Sequence, residues 1–554
     1  MKHWIELSLI VGALTYVAGC SGLTQTTQQD QRGARLYEGM GGHGHKVTTS
    51  SARAQQYFDQ GLVWTFAFNH DEAIRSYEEA ARLDPDCAMA WWGIALCNGP
   101  HINNPIVTPK RSEAAWAALQ RAVALKDKAT PTEQALIDAL SKRYADPAPA
   151  DRRPLDEAYA SAMHDVWLAN RNDSDVGTLY AESLMDLRPW DLWQEDGQPQ
   201  PGTAGIIAVL EEVMRLDENH PGANHLYIHT IEASPEPGRA SVSADRLRNL
   251  VPGSGHLVHM PSHIDVLTGR WEQASKQNEL AIEVDRDYRI KSPDQGFYRL
   301  YMVHNHHMLA FASMMEGRRE TAIRAAHDVV NSVPADYLKR ESALMDPYMG
   351  AIYDALKRFG LWDEILSEPA PPKYLKITTA MWRFSRALAL AAKGEIVKAE
   401  QEKKLFLDAV SRIPDDAIFA INNARHVLKI AEHMLDGEIA LARRDVNLSV
   451  YELRKAIVLE DDLMYMEPPE WVQPVRHTLG AVLLSAGRSE EAEIVYLKDL
   501  KKWPNNGWSL YGLSRCYRMR NDTKKAEEFE ALFAKAWSRA DTEIASSCKC
   551  VPKT

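Results

Sequence analysis

The spacing of histidines between Pro221 and Gly317 constrains the fold of this chain more than any other feature. His225 and His259 are 34 residues apart, and so are His229 and His263. A period in the range of roughly 20–50 residues is typical of helical hairpins that stack into a solenoid. Within each turn the histidines are four residues apart, so they share one helix face. The pattern therefore predicts stacked helices that present several imidazoles side by side.

Residues other than histidine fix the same register near both ends of the chain. In a unit that begins at Ala54, the small, aromatic and proline positions are Gly61, Ala73, Tyr77, Ala80 and Pro85. In a unit that begins at Gln473, the corresponding residues are Leu479, Gly480, Leu483, Ala492, Tyr496 and Pro504. On these motifs the chain resembles bacterial tetratricopeptide repeat (TPR) proteins over most of its length. The resemblance implies an all-α, TPR-like α-solenoid, a right-handed superhelix of antiparallel helix pairs, but it brings no defined activity.

The resemblance also places the histidines in a groove. In this family the second, fifth and ninth positions of the first helix of each repeat line the concave surface. With repeats that begin at Pro221, Gly255 and Val303, seven of these nine positions are histidine: His225, His229, His256, His259, His263, His304 and His307. The third start comes 48 residues after the second, which implies a 14-residue insertion around Ile290 to Gln295.

Clustered imidazoles indicate a metal site. Neighbouring helices pack roughly 8–10 Å apart, so histidines on facing stripes can meet at one ion. Seven ligands exceed one tetrahedral centre and suit one ion with outer partners or two ions. A site of imidazoles without thiolates favours copper, zinc or iron over calcium or magnesium. Glu232 lies one turn beyond His229 and could bridge two ions or orient a ligand, with Asp265 and Asp287 as alternatives.

Other segments could contribute to the same groove. The loop from Arg188 to Gly202 contains Trp190 and Asp191, which could form a lid or supply a carboxylate, since long loops in compact chains are often functional. His70 and His101 end helices in the amino-terminal part and could face the histidines or only cap their own helices. His477 occupies a groove position but has no histidine one period away, so we interpret it as structural.

Three functions fit these features. The first is a repeat protein whose groove holds a poly-histidine transition-metal site for metal handling. The second is a metal-dependent oxidoreductase or hydrolase that uses this site, since no serine-elbow, phosphate-loop or cysteine-nucleophile motif is present. The third is a metal-free scaffold that binds a protein or peptide in its groove. The net charge of −12 and the absence of a Lys/Arg block argue against nucleic-acid binding.

The first residues indicate export. An apolar run from Ile5 to Val17 is too short to cross a bilayer, and Val17-Ala18-Gly19-Cys20 resembles the lipobox of bacterial lipoproteins. The resemblance implies cleavage after residue 19, lipidation of Cys20, and a membrane-anchored protein of the cell envelope. Ser21 after the cysteine is typical of an outer-membrane destination, facing the periplasm or the cell surface.

We predict six segments along the chain: a signal peptide (1–19), a flexible tether (20–50), amino-terminal repeats (51–187), histidine-rich repeats with inserted loops (188–345), carboxy-terminal repeats (346–546) and a tail (547–554). The tether contains His43 and His45 in a Gly-His-Gly-His pattern, which can bind metal weakly but is more typical of solvent-exposed sequence. The pairing of Cys87, Cys97, Cys516, Cys548 and Cys550 is left open by the sequence, although Cys87 and Cys97 are too far apart on one helix to pair with each other.

Overall fold

The computed structural model describes residues 34–194, 196–292 and 294–550. The predicted signal peptide and the lipidation site at Cys20 lie outside these residues. Within them the chain is almost entirely helical, with one short antiparallel pair of strands, β1 (Ile418–Phe419) and β2 (Asn422–Asn423). The predicted all-α helical-repeat fold is confirmed. None of the described helices combines the length and the apolar character that a membrane span requires.

Seven helices precede the loop at Arg188: α1 (Ala52–Phe66), α2 (His70–Leu83), α3 (Ala88–Cys97), α4 (Pro109–Ala124), α5 (Pro131–Leu140), α6 (Arg153–Ala169) and α7 (Ser174–Met185). Ten form the histidine-rich part: α8 (Thr203–Leu216), α9 (Pro221–Ile231), α10 (Ser241–Leu250), α11 (Gly255–His259), α12 (Pro261–Leu267), α13 (Trp271–Lys291), α14 (Arg299–Glu316), α15 (Arg319–Asn331), α16 (Ala335–Arg340) and α17 (Ser342–Met345).

Ten more complete the chain: α18 (Ala351–Phe359), α19 (Trp362–Ser367), α20 (Lys376–Ala392), α21 (Ile396–Ser411), α22 (Ala424–Ala442), α23 (Val446–Asp461), α24 (Val475–Ser485), α25 (Ser489–Lys502), α26 (Gly507–Met519) and α27 (Thr523–Ala536). Short 3₁₀ turns occur at Lys126–Lys128, Pro237–Ala240, Gly296–Tyr298 and Asp346–Gly350. The predicted insertion near Ile290 takes the form of a long α13 that continues to Lys291, followed by the turn at Gly296–Tyr298.

The same packing device recurs in the two repeats whose register the sequence fixes. The Tyr77 ring of α2 lies between α1 and α3, so close to Gly61 and Gly93 that an added Cβ at either glycine would be 2.7 Å from a ring carbon. Tyr496 of α25 is enclosed in the same way by Gly480 of α24 and Gly512 of α26. A tyrosine therefore fills the space that two glycines leave between successive hairpins, because only a missing side chain allows the helices to approach.

The ends of the solenoid fold back on its centre. Asn69 donates a hydrogen bond to Tyr288 Oη (3.0 Å), and the Trp271 indole donates to the carbonyl of Pro504 (2.8 Å). Trp508 likewise donates to the carbonyl of Met314 (2.8 Å). Repeats that are distant in the sequence therefore pack on one another. One hydrophobic core extends from Met40 to Met302 and a second from Val266 to Ala526, so they overlap at the histidine repeats.

Residues 34–50, which we call the amino-terminal segment, are not the free tether that the sequence predicts. Met40 and Val47 are buried, the Tyr57 hydroxyl donates to the carbonyl of Ala34 (2.8 Å), and Gly253 N–H donates to the carbonyl of Gly39 (2.8 Å). The segment has no helix or strand of its own, and these contacts with the repeats hold it in place.

The cysteines fall into two groups. Cys87, Cys97 and Cys516 are buried and unpaired, as small apolar core residues. Cys548 and Cys550 form a disulfide in the tail, which packs under α24 through a hydrogen bond from Ser547 Oγ to the carbonyl of His477 (2.8 Å).

Candidate metal centre

Four short elements bring the histidines together. His225 and His229 lie on α9, His256 and His259 on α11, His263 on α12, and His304 on α14. Pro221 opens α9 and Pro261 opens α12, where a residue without an N–H is tolerated in the first turn. Five of the six histidines are buried and His304 is half-buried. The predicted clustering of imidazoles is present in the structure.

The rings form two groups of three. The first group is His225, His229 and His256, and the second is His259, His263 and His304; in each group one ligand atom from every residue lies within 4.8 Å of the others. We call these the first and second triads. They are adjacent, because the rings of His229 and His263 are 5.7 Å apart and those of His256 and His259 are 6.1 Å apart.

The first triad has the spacing of ligands on one ion. His225 Nε2 and His256 Nε2 face each other at 3.2 Å. Two nitrogens bound at about 2.0–2.1 Å to a tetrahedral ion are roughly 3.3 Å apart. His229 Nε2 is buried with no hydrogen-bond partner among the described residues. An unpartnered buried imidazole nitrogen is costly unless something outside the protein satisfies it.

The outer nitrogens of four rings are held by acceptors. His225 Nδ1 donates to the carbonyl of Phe66 (2.6 Å), and His259 Nδ1 donates to the Asn278 side-chain oxygen (2.7 Å). Glu232 accepts from His229 Nδ1 (2.8 Å) and from His263 Nδ1 (2.7 Å), one residue of each triad. Because the acceptors take the Nδ1 protons, each of these rings turns Nε2 toward its triad. This arrangement, an anchored Nδ1–H and an inward Nε2, is typical of metal-bound histidine.

Glu467 is a site residue that the sequence analysis missed. Its Oε2 lies 2.7 Å from His263 Nδ1, on the side of the ring that also faces Glu232. Tyr465 donates a hydrogen bond to the same carboxylate. No local signal marks Glu467 in the sequence, because it belongs to the loop between α23 and α24 and reaches the histidines only after the solenoid folds back.

The pKa values of the histidines at the centre are shifted in opposite directions. Burial, together with neighbouring imidazoles, holds the pKa of His225, His256, His259 and His304 well below the usual histidine range. Burial alone would also lower the pKa of His263, but the carboxylates of Glu467 and Glu232 raise it to about 10. Burial would raise the pKa of Glu232, yet His229 and His263 lower it to about 2.

The second triad is closer than ligands on an ion. His259 Nε2 and His263 Nε2 are 2.7 Å apart, which is the length of an N–H···N hydrogen bond. Because both Nδ1 atoms already donate outward, the His263 imidazolium donates its second proton to His259. A proton thus lies between two nitrogens that a cation of higher charge could join.

Aromatic side chains form the wall of the centre. The Phe68 ring lies 4.5 Å from the His225 ring and stacks on His101 at 4.6 Å, and His101 in turn contacts His70 at 4.5 Å. His70 and His101 are therefore separated from the triads by Phe68. The ring of Tyr301, which the sequence analysis did not assign to the site, is 4.2 Å from that of His256.

Trp190 lies where a lid would be. Its ring contacts His229 edge-on at 5.6 Å. A narrow cavity beside it reaches His229 and Glu232 and is lined by largely apolar side chains, including Trp193, Met185 and Tyr465. The loop that the sequence marked as a candidate lid thus borders a cavity on one face of the first triad.

Four predicted residues lie away from the triads. Asp265 is fully engaged by Arg248 (2.7 Å) and Arg270 (2.8 Å). Asp287 is exposed beside Arg286, and Asp191 pairs with Arg188 at the surface (2.6 Å). His307 packs against Tyr348 at 5.7 Å, and burial lowers its pKa to about 4. All three carboxylates face arginine, so the bridging role of Asp265 and Asp287, the lid role of Asp191 and the ligand role of His307 stay predictions.

No protein-family model and no curated protein sequence matches the chain. Solved structures similar to it include the human IFIT1 dimer with PPP-AAAA, at 12% identity and a TM-score of 0.31, covering 88% of this chain and 91% of that one. The APC/C hetero-tetramer Cut9-Hcn1 gives 12% identity and a TM-score of 0.32, covering 87% and 76%. Yeast Tom70 gives 11% identity and a TM-score of 0.29, covering 89% and 93%.

Proposed function

We propose that this helical-repeat protein binds transition-metal ions, one at each triad, where its two hydrophobic cores overlap. The supporting observation is the direction of four imidazoles. His225, His229, His259 and His263 each have Nδ1 fixed by an acceptor and Nε2 turned inward. Helical periodicity explains why these residues share a face, but it does not explain why each ring has its own outer acceptor.

The ligand atoms limit which metal ions fit the site. Each triad offers imidazole nitrogens without thiolates, which suits copper, zinc or iron in this proposal. Glu232 hydrogen-bonds one histidine of each triad, so it would orient ligands of both ions at once. Bound metal would replace the proton between His259 and His263 and satisfy His229 Nε2. Three protein ligands per ion would leave one coordination position for water or another small ligand.

The burial of the cluster favours metal over the peptide-binding alternative. A peptide that used these histidines would have to reach side chains such as His225 and His259, whose exposed fraction is 0%. An ion needs much less room. A protein partner that binds elsewhere on the solenoid is compatible with the proposal.

A metal-dependent enzyme is the second candidate. The observation in its favour is the cavity beside Trp190, which would let a small molecule approach the His229 and Glu232 side of the first triad. In that case the metal would supply Lewis-acid or redox chemistry, while Glu232 would hold a ligand proton at His229 Nδ1 and Trp190 would limit the entry of water.

The test is the metal content of the purified full-length protein after removal and re-addition of copper, zinc and iron. We expect about two ions per chain at the triads. H225A/H256A should remove one ion and H259A/H304A the other. The matched control is H164A/H327A, which changes two exposed histidines on α6 and α15. A chain that binds no metal, or that keeps both ions in the triad variants, would contradict the proposal and favour a scaffold.

Activity separates the first two candidates. Oxygen uptake or hydrolysis by the loaded protein that disappears in H225A/H256A and persists in H164A/H327A would identify an enzyme. Stoichiometric binding without turnover would identify a metal carrier or store.

We also propose that the chain is exported and held at the membrane by a lipid on Cys20. The support is the sequence alone: the short apolar run and the lipobox-like residues before Cys20. Mass spectrometry of the mature amino terminus should find a lipidated Cys20, and C20A should remain unprocessed. A mature protein that begins elsewhere without lipid would contradict this.

A further inference from the structure

A second group of histidines lies outside the groove, where the amino-terminal segment meets α7. His43 Nε2 is 2.9 Å from Asp175 Oδ1, and His45 Nδ1 is 2.9 Å from Asp175 Oδ2. His220 Nε2 is 3.1 Å from Asp175 Oδ1. Three imidazoles thus converge on one carboxylate, in a place that neither the triads nor the groove explains.

The three rings do not have the same role. His220 Nδ1 accepts a hydrogen bond from the backbone N–H of Ala223 (3.1 Å), so its proton is on Nε2, from which it donates to Asp175. His220 is therefore a support for the carboxylate, in the way that outer residues hold metal ligands. His43 and His45 are different, because each turns a single ring nitrogen toward Asp175 from a segment without helix or strand.

We infer that His43 Nε2, His45 Nδ1 and Asp175 form a separate site for one divalent transition-metal ion, with zinc as the natural probe. Two imidazole nitrogens and a carboxylate are a typical zinc donor set that leaves a fourth position for water. Nitrogen and oxygen ligands of one tetrahedral zinc are roughly 3.3–3.5 Å apart. The observed 2.9 Å distances are those of hydrogen bonds and are roughly 0.4–0.6 Å shorter than this spacing, so an ion would replace the shared protons and move the side chains apart by that amount.

Access and surroundings support the assignment. The side chains of His43 and His45 are 11% and 19% exposed, so an ion could reach them from solvent without opening the groove. Asp59 adds a second carboxylate nearby, since its Oδ1 accepts from the backbone N–H of His45 (3.1 Å). Negative charge around a half-exposed pair of imidazoles attracts a cation.

A bound ion would tie the amino-terminal segment to the body of the solenoid. The segment passes beside Phe66, whose carbonyl accepts from His225 of the first triad, and the His43 ring contacts the Phe66 ring at 5.8 Å. The bound ion would therefore fix the part of the chain that leads to the proposed membrane anchor. It would also hold the segment against Phe66, whose carbonyl is the acceptor for His225. The ion would hold the amino-terminal segment in place only if its bonds to His43, His45 and Asp175 are stronger than the hydrogen bonds that they replace.

The experiment measures zinc content and tryptic cleavage after Lys46, which is exposed and follows His45 directly. In the full-length protein, zinc at about 100 times its Kd should slow this cleavage roughly 100-fold, since only the open segment is cut. H43A/H45A should lose one zinc per chain, and its cleavage should not respond to zinc. The control H164A should behave as the unchanged protein.

A groove variant separates this site from the triads. H225A/H256A/H259A/H304A should keep a single zinc and its effect on cleavage after Lys46, and adding H43A/H45A should remove both. If H43A/H45A keeps its zinc content, or if zinc does not slow cleavage in the unchanged protein, the inference is wrong. Faster cleavage in H43A/H45A, combined with no effect of zinc on cleavage of the unchanged protein, would show a latch made of hydrogen bonds only and would also overturn it.

Discussion

Two regions of the molecule each have buried histidines at groove positions, and the structure provides for their nitrogens differently. In the carboxy-terminal repeats His477 on α24 has both nitrogens satisfied: Nε2 faces Asp499 (2.8 Å) and Nδ1 accepts from Arg358 (3.0 Å). In the central repeats His229 Nε2 and His256 Nδ1 are buried without partners among the described residues. Both regions place histidine at a groove position of a helical repeat. Position and burial therefore do not identify a ligand. An unpartnered nitrogen is informative only where other imidazoles converge on it, since His70 Nε2 and His101 Nδ1 are also buried without partners among the described residues.

The comparison predicts that replacing His477 lowers the stability of the fold, whereas replacing triad histidines lowers the metal content. We expect H477A to lower the free energy of unfolding by about 3–5 kcal/mol, because it leaves Asp499 and Arg358 buried without their shared partner. Denaturant unfolding should show the loss, and the metal content of the folded fraction should be unchanged. If H477A lost metal but not stability, His477 would behave as a triad histidine and the proposed difference between the two regions would be wrong.

The reverse behaviour is expected of the triads. Metal at about 100 times its Kd should raise the free energy of unfolding by roughly 2.7 kcal/mol for each ion that binds only the folded chain. Thermal unfolding with and without metal should show this gain in the unchanged protein and a smaller one in H225A/H256A. In H477A the gain should persist in full. An equal gain in all three proteins would mean that metal binds elsewhere.

A substitution at Glu232 tests whether the groups that accept the Nδ1 protons contribute to metal binding. E232Q keeps the shape of the side chain but weakens its hydrogen bonds to His229 and His263, so we expect metal affinity to fall about 10–100-fold. Competition with a chelator of known affinity measures the change. The control is D287N, which alters an exposed carboxylate remote from the triads. Equal affinities in E232Q and the unchanged protein would remove Glu232 from the site.

The smallest effect is expected at the cavity. W190A should leave the number of bound ions unchanged and speed their removal by a chelator severalfold, because it removes the ring that covers His229. The control W91A changes a tryptophan whose ring lies under Arg121, away from this cavity. A removal rate that does not change in W190A would show that ions leave by another route.

The sequence predicted the helical repeats and the histidine cluster because both depend on local spacing. Gly61 and Tyr77 already indicate how two hairpins meet, and the separation of four residues between His225 and His229 already puts both rings on one face. The proximity of Glu232 to His229 followed from the same helix. Asp265 and Asp287 were chosen on similar grounds, but spacing cannot show that Arg248 and Arg270 take up the first carboxylate and that the second is exposed beside Arg286.

By itself, then, the sequence indicated an all-α repeat with seven histidines at groove positions of neighbouring helices, because helical periodicity is fixed by neighbours in the chain. Six of the seven form the triads. Only the tertiary structure decided what surrounds them. The carbonyl of Phe66, the amide of Asn278 and the carboxylate of Glu467 come from three separate segments, and His43 and His45 reach Asp175 from a segment expected to be free. Contacts between distant segments depend on how the ends of the solenoid fold back, and no local pattern encodes that closure.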